Sequence, residues 1–289
     1  MTKPFKLGFA FMPRKATEQE VDDYLKRMYE TFPDCTIMLS ALHLNDVSFD
    51  INKPFLHFVT ACRHRHDLVA RYYALIAQAR VEGLDYLVFN LGLKRYPADV
   101  FAAFAREAQT AYPAADLVIG EPHIDDTGPA SDFAQAIGQE KVRQRLLVDS
   151  FINFALARAL DRDYANFNAG VFAIRTKKDV VKTLLSVEHY EDSTLVCPQI
   201  VWHLDRAGFL VRKLTVRSIS LHHLGFNLQK AIREINYILK LMAASGRQML
   251  LAEAVDSFFA TCEFVRQWVA PKDIEWFWSV VVEGLRKSN

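Results

Sequence analysis

From residue 5 to about residue 216, short apolar runs alternate with amphipathic stretches. That alternation marks successive βαβ units and predicts an α/β fold built on a mostly parallel sheet covered by helices. The runs that predict strands are KLGFAF, CTIMLSALHL, YLVFNL, ADLVIG, AGVFAI and FLVRKLTV. Between them, RHDLVARYYALIAQARV sets Leu68, Tyr72, Leu75, Ile76 and Ala79 at helical spacing, and FAAFAREAQ does the same with Phe101, Phe104 and Ala105. Gly83, Pro97, Pro113, Gly120, Pro122, Gly128 and Pro129 punctuate the joints, and the stretch GEPHIDDTGPAS predicts a long loop. Long loops beyond strand ends often carry function.

After His223 the pattern changes. Leu228, Ile232, Ile235, Ile238, Leu239 and Met242 trace one apolar helical stripe, and LLAEAVDSFFATCEFVRQWV predicts another helix. The expected organisation is therefore an α/β domain over residues 1–223 and an all-helical C-terminal region over 224–289 packed on it. No internal repeat, low-complexity tract or flexible linker interrupts the chain. The closing stretch EWFWSVVVEGLRK is apolar enough for contact with a membrane surface or a second copy of the chain. An ordinary core helix accounts for it with fewer assumptions.

The charge balance narrows the function. The 289 residues carry 35 Lys and Arg against 34 Asp and Glu, so the broad basic footprint of a nucleic-acid binder is missing. No stretch approaches the roughly 18 apolar residues that predict a transmembrane helix. The start MTKPFKLGFAFMPRK has no long apolar segment followed by a cleavage site, and a cytoplasmic protein is expected. Cys35, Cys62, Cys197 and Cys262 are scattered among apolar neighbours, which predicts buried free thiols.

Four segments carry chemistry. LNDVSFD follows the second predicted strand; DLVARYYALIAQA is a helix with Arg71 near its start; VFNLGLKRYPADV ends a strand at Asn90; and YEDSTLVCPQIVWHLDRAGFLVRKL joins Glu191-Asp192 to a helix and a turn. Together, over about the first 220 residues, they resemble the landmarks of GT-A glycosyltransferases, especially the inverting family-2 enzymes and the relatives of dolichyl-phosphate mannose synthase. The resemblance implies a GT-A-like, Rossmann-like sheet that binds a nucleotide-diphosphate sugar and passes the sugar to a hydroxyl acceptor. It assigns Asp46 to the nucleobase, where a carboxylate accepts a base N–H, and aligns Arg71 with the family's helical arginine.

Where the family carries a metal-binding Asp-x-Asp, this chain has Asn90 and Gly92. An amide and a glycine supply neither of the anionic oxygens that a divalent cation, Mg or Mn, prefers. Lys94 and Arg95, or Arg71, are the cations that would take its place against the diphosphate, since a guanidinium grips phosphate oxygens in bidentate fashion. In DYANFNAGVFAIRTKKDV, Asn168 and Gly170 match the small pair that lines the family's sugar pocket, with Arg175 emerging after the strand. Glu191 would shape the same pocket. By resemblance Asp192 is the catalytic base that takes the acceptor's hydroxyl proton. His222, in LTVRSISLHHLGFN, falls where many GT-A enzymes carry a histidine that contacts the metal or the diphosphate.

Each of these residues also has a plain structural reading. Asp46 suits an Asx turn, Glu191-Asp192 suit a helix start, Asn90 and Gly92 suit a turn, and Arg71 is by default a solvated surface charge. His222-His223 alternate faces, so at most one enters a pocket. The run His123 to Asp126 would offer an imidazole and two carboxylates to a cation, at unspecific spacing. Trp202, near Gln199 and His203, is expected to pack on the sheet. The rival to a transferase is a non-catalytic GT-A-like protein that has lost its metal site and binds a nucleotide or a partner. A nucleotidyltransferase of related topology would want a Gly-rich basic loop after the first strand, where FAFMPRKATEQE offers only Arg14 and Lys15.

Overall fold

The computed structural model describes residues 5–11, 17–39, 56–58, 68–90, 98–110, 113–123, 138–162, 170–187, 195–217, 227–244, 246, 251–262, 265, 267 and 269–288. They group into two compact units, residues 1–122 with 169–219 and residues 123–168 with 220–289.

In the first unit, the apolar runs Leu7–Phe11 (β1) and Tyr86–Asn90 (β4) are buried along their whole length, as central strands covered on both faces must be. Around them lie Thr36–Leu39 (β2), Leu56–Phe58 (β3), Leu117–His123 (β5), Val171–Arg175 (β6) and Val211–Arg217 (β7), in the order β3-β2-β1-β4-β6-β5-β7. β1 pairs in parallel with β2 and β4, and β2 with β3; β6 runs antiparallel to both β4 and β5. The sheet is thus mostly parallel, as expected, with β6 reversed. A strand forms within each of the six expected runs, and β3 adds one that its three residues were too short to signal.

The helices of this unit are Glu18–Thr31 (α1), Leu68–Val81 (α2), Ala98–Thr110 (α3), Lys178–Leu185 (α5) and Val196–Arg206 (α6). The connection through α1 travels from β1 to β2, and the connection through α2 travels the opposite way, from β3 to β4. Right-handed crossovers therefore place α1 and α2 on opposite faces. The packing agrees. Val21, Tyr24, Leu25 and Met28 of α1 and Phe101 and Phe104 of α3 join Phe9, Phe11, Ile37 and Val88 in one buried cluster. On the other face, Phe89 stacks on Phe172 with ring centroids 4.9 Å apart, and Tyr72 of α2 lies 5.5 Å from Phe89.

Local chemistry fixes the helix ends. Thr17 caps α1: its hydroxyl accepts from the Glu20 N–H at 3.3 Å while the Glu20 carboxylate accepts from the Thr17 N–H at 3.0 Å. α2 and α6 both stop at a glycine with positive φ, Gly83 at 68° and Gly208 at 81°. In each, the next residue's N–H returns to a carbonyl of the last turn, Leu84 to Ala79 and Phe209 to Leu204, both at 3.0 Å. The stretch Asp205 to Val211 is therefore a helix stop leading into β7. Cys35 and Cys197 are buried free thiols and Cys262 is partly buried; burial pushes the Cys35 thiol up to about 12. Cys62 lies outside the described residues.

The second unit is helical among its described residues. Glu140–Leu160 (α4), Leu228–Ala244 (α7), Leu251–Thr261 (α8), and Pro271–Trp276 (α9) continuing through a π-helical turn at Phe277–Val282 into Glu283–Ser288 (α10) make it up. It takes in α4 as well as the C-terminal tail, because α4 packs on α7 and α8. Phe151 of α4 meets Phe258 and Phe277, each at 5.4 Å. On the same helix Arg145 donates to Asp149 at 2.5 Å and to the fully buried Glu234 at 3.1 Å. Arg143 donates to Asp273 at 3.1 Å, and Asp273 also accepts the Ala270 N–H that starts α9. Among the described residues no helix is long and apolar enough to cross a membrane.

Candidate functional site

The order of strands reverses its direction of growth between β1 and β4. The carboxyl ends of the strands beside such a switch point are where open α/β sheets hold ligands. Here the carboxyl ends are Phe11 and Asn90, paired directly in the β1–β4 register. Asn90 also pairs with Val171, the first residue of the reversed β6, so the preceding Gly170 stands at the same edge. The antiparallel strand thus brings a sequence-distant candidate beside Asn90. Its neighbour β5 reaches that edge at Gly120, where an added Cβ would lie 2.9 Å from the Val171 carbonyl oxygen.

Arg71 belongs to the first turn of α2. The helix runs back along β4, Tyr72 meeting Phe89 near the strand's end and Val81 leading to its start, so Arg71 lies toward the carboxyl edge, on the face opposite α1. It is 5% exposed. The default reading of a solvated surface charge is therefore wrong: a helix packed on a sheet covered on both faces has little free perimeter, and Arg71 falls on its inner side.

Asn90 is buried too, and its amide nitrogen donates to the Tyr24 hydroxyl at 2.9 Å. Tyr24 stands on α1 with its ring edge-on to Phe11, centroids 5.0 Å apart. Burial raises its hydroxyl well above the ordinary tyrosine range, although the Asn90 hydrogen bond and the Arg27 charge pull the other way. Periodicity marks Tyr24 only as one member of the apolar stripe Val21, Tyr24, Leu25 and Met28, so nothing in the sequence separated it from a core aromatic.

The Asn90 amide ties a strand end to a helix and does not present a hard anionic oxygen. Among the described residues no group of three His, Cys, Asp or Glu side chains is placed to hold a metal ion. The described part of this edge therefore does not fit a divalent cation.

Arg175, expected to emerge after the strand beside the sugar pocket, is at the opposite edge. It pairs with Tyr86, the first residue of β4, and its guanidinium lies 3.7 Å from Asp116. The reversal of β6 is the reason: a parallel strand would have delivered Arg175 to the ligand edge, and an antiparallel one delivers Gly170 instead. Trp202 is buried with Arg206 over its ring at 5.2 Å, and Gln199 is fully buried. α6 begins at Val196, four positions beyond Asp192. Asp46, Gly92, Lys94, Arg95, Asn168, Glu191, Asp192 and His222 lie outside the described residues, as do residues 124–126 of the acidic loop.

No family model and no curated protein matches the sequence. Solved structures similar to the chain include a mannosyltransferase from Pyrobaculum calidifontis in complex with GDP-Man and Mn²⁺ (12% identity, 99% of this chain and 76% of that one, TM-score 0.46). Residues 1–349 of TarS from S. aureus are similar at 10% identity, covering 98% of this chain and 81% of that one, with a TM-score of 0.46. A 4-diphosphocytidyl-2C-methyl-D-erythritol synthase is similar at 11% identity, 83% of this chain and 99% of that one, TM-score 0.36. With likenesses this faint, the fold stands on the chain's own strand order.

Proposed function

We propose that the protein is a GT-A-like glycosyltransferase that binds a nucleotide-diphosphate sugar at the carboxyl edge of its sheet and transfers the sugar, with inversion, to a hydroxyl acceptor. The observation that supports the reading is the strand register: Asn90, standing where the family carries an acidic ligand, and Gly170, standing in its sugar-pocket pair, lie at the same carboxyl edge. A chance resemblance spread over two distant segments has no reason to converge on one edge.

In this reading Asp46 accepts from the nucleobase, and Asn168, Gly170 and Glu191 shape the sugar pocket, with His222 near the diphosphate. Arg71, held in the first turn of α2, meets the diphosphate together with Lys94 or Arg95. The acceptor hydroxyl oxygen attacks the anomeric carbon while Asp192 takes its proton; the bond from that carbon to the diphosphate oxygen breaks, and its electron pair leaves with the nucleoside diphosphate. The side-chain cations stabilise that developing charge, the term that most often dominates such a step.

The test is calorimetry with UDP- and GDP-linked sugars, with and without Mn²⁺, followed by turnover of the one that binds. Asp192→Asn is expected to lower transfer by at least about 100-fold and to leave nucleotide affinity within a factor of two or so. Unchanged turnover sinks the assignment of the base. Donor binding with neither transfer nor hydrolysis in the wild-type chain selects the non-catalytic reading.

A further inference from the structure

A phenol hydroxyl can accept and donate at once, and among the described residues Tyr24 uses one of these capacities. It accepts from the Asn90 amide, while its own proton has no acceptor among the described residues. The side chain is 6% exposed. A buried donor left without an acceptor is disfavoured, and such groups call for a partner.

Its location says which partner. The hydroxyl is bound to Asn90 and the ring rests on Phe11, the paired last residues of β4 and β1. These two strand ends flank the switch point of the sheet, beside which open α/β sheets hold ligands. The hydroxyl also stays protonated, because burial holds it above the ordinary tyrosine range. It is therefore a neutral donor whose oxygen is held by the Asn90 amide.

We propose that the Tyr24 hydroxyl donates a hydrogen bond to an oxygen acceptor of the nucleotide half of the bound donor substrate, with Asn90 as the residue that positions it. The inference rests on the glycosyltransferase reading and adds to it a binding residue from α1, a helix that contributes none of the motif residues. A carbonyl oxygen of the base and an oxygen of the diphosphate share the required chemistry.

Tyr24→Phe removes the hydroxyl and keeps the ring against Phe11. The experiment is titration calorimetry of the full chain and this variant with UDP, GDP, CDP and ADP, and with the matching nucleoside. For the nucleotide that the wild-type chain binds, the variant is expected to bind about five- to tenfold more weakly, the loss of one hydrogen bond. A loss shared by nucleoside and diphosphate assigns the base; a loss confined to the diphosphate assigns a phosphate oxygen. Equal affinity of wild type and variant overturns the inference and leaves Tyr24 as a structural tie. Wild-type chain that binds none of the four nucleotides overturns the glycosyltransferase reading and this inference together. Should Tyr24→Phe fail to fold, 3-fluorotyrosine at position 24, a stronger donor of nearly the same size, is expected to tighten binding, and unchanged affinity overturns the proposal.

Discussion

Asn90 and Gly120 stand near one edge of the sheet and need their identities for different reasons. Asn90 ends a strand of five buried residues, and its amide is tolerated there because Tyr24 accepts from it. Gly120 has room for nothing larger: a Cβ would sit 2.6 Å from Val171 Cγ1 and 2.9 Å from the Val171 carbonyl oxygen. A side-chain tip can rotate away, but a backbone carbonyl held in the sheet cannot. Gly120→Ala is therefore expected to cost about 1–3 kcal/mol, read as a lower midpoint in urea denaturation. Gly8→Ala, where the nearest atom is the flexible Leu84 Cδ1 at 2.3 Å, is expected to cost less. If the two variants unfold alike, the rigidity of the β5–β6 contact is not what excludes a side chain. Sequence marked Gly120 only as a joint and, the family resemblance aside, Arg71 as a surface charge, since the crowding of one and the burial of the other depend on neighbours remote in the chain.

Among the elements, helix ends were the most legible features, because their chemistry is local. The Arg206-Ala207-Gly208 sequence reads as a stop without any knowledge of the fold, and α6 ends there. α4 makes the same stop with a poorer residue, Asp161 at φ 58°, whose N–H and that of Arg162 return to the last turn. No atom lies within 4 Å of the position a Cβ would take at Gly208, so substitution there meets backbone strain alone. Gly208→Ala is expected to lose about 1 kcal/mol and Asp161→Gly to gain a similar amount, both measured by thermal unfolding. Equal midpoints for all three chains would mean that the left-handed residues are not strained. Strand runs were legible for the same local reason. The three-residue β3 was too short to show a period, and the reversal of β6 could not be read from AGVFAI, since a strand's direction is set by its neighbours.

For the whole molecule the sharpest consequence lies in the helical unit. Burial opposes the Arg145 charge, yet Asp149 and the fully buried Glu234 hold the guanidinium firmly protonated. Arg145→Met takes the Arg145 guanidinium away from the buried Glu234 carboxylate and is expected to destabilise this unit by about 3–5 kcal/mol. Adding Glu234→Leu should restore most of the loss, because a well-packed apolar pair avoids the desolvation of both charges. Urea denaturation followed by far-ultraviolet circular dichroism reads both steps, and a single variant costing under about 1 kcal/mol would place the pair among weak, solvated ones.

The grouping of α4 with α7 and α8, rather than with the strands that flank it in sequence, shows where reading along the chain stops. Apolar periodicity, glycine stops and polar caps act over a few residues, so the sequence by itself determined the α/β class, most of the strands and the helical tail. The tertiary structure alone decided that β6 runs backward, that Gly170 and not Arg175 meets Asn90, and that Tyr24 turns its hydroxyl to that strand end. Those outcomes depend on which distant segments become neighbours, and the hydrophobic drive that brings them together is non-directional and leaves no local mark.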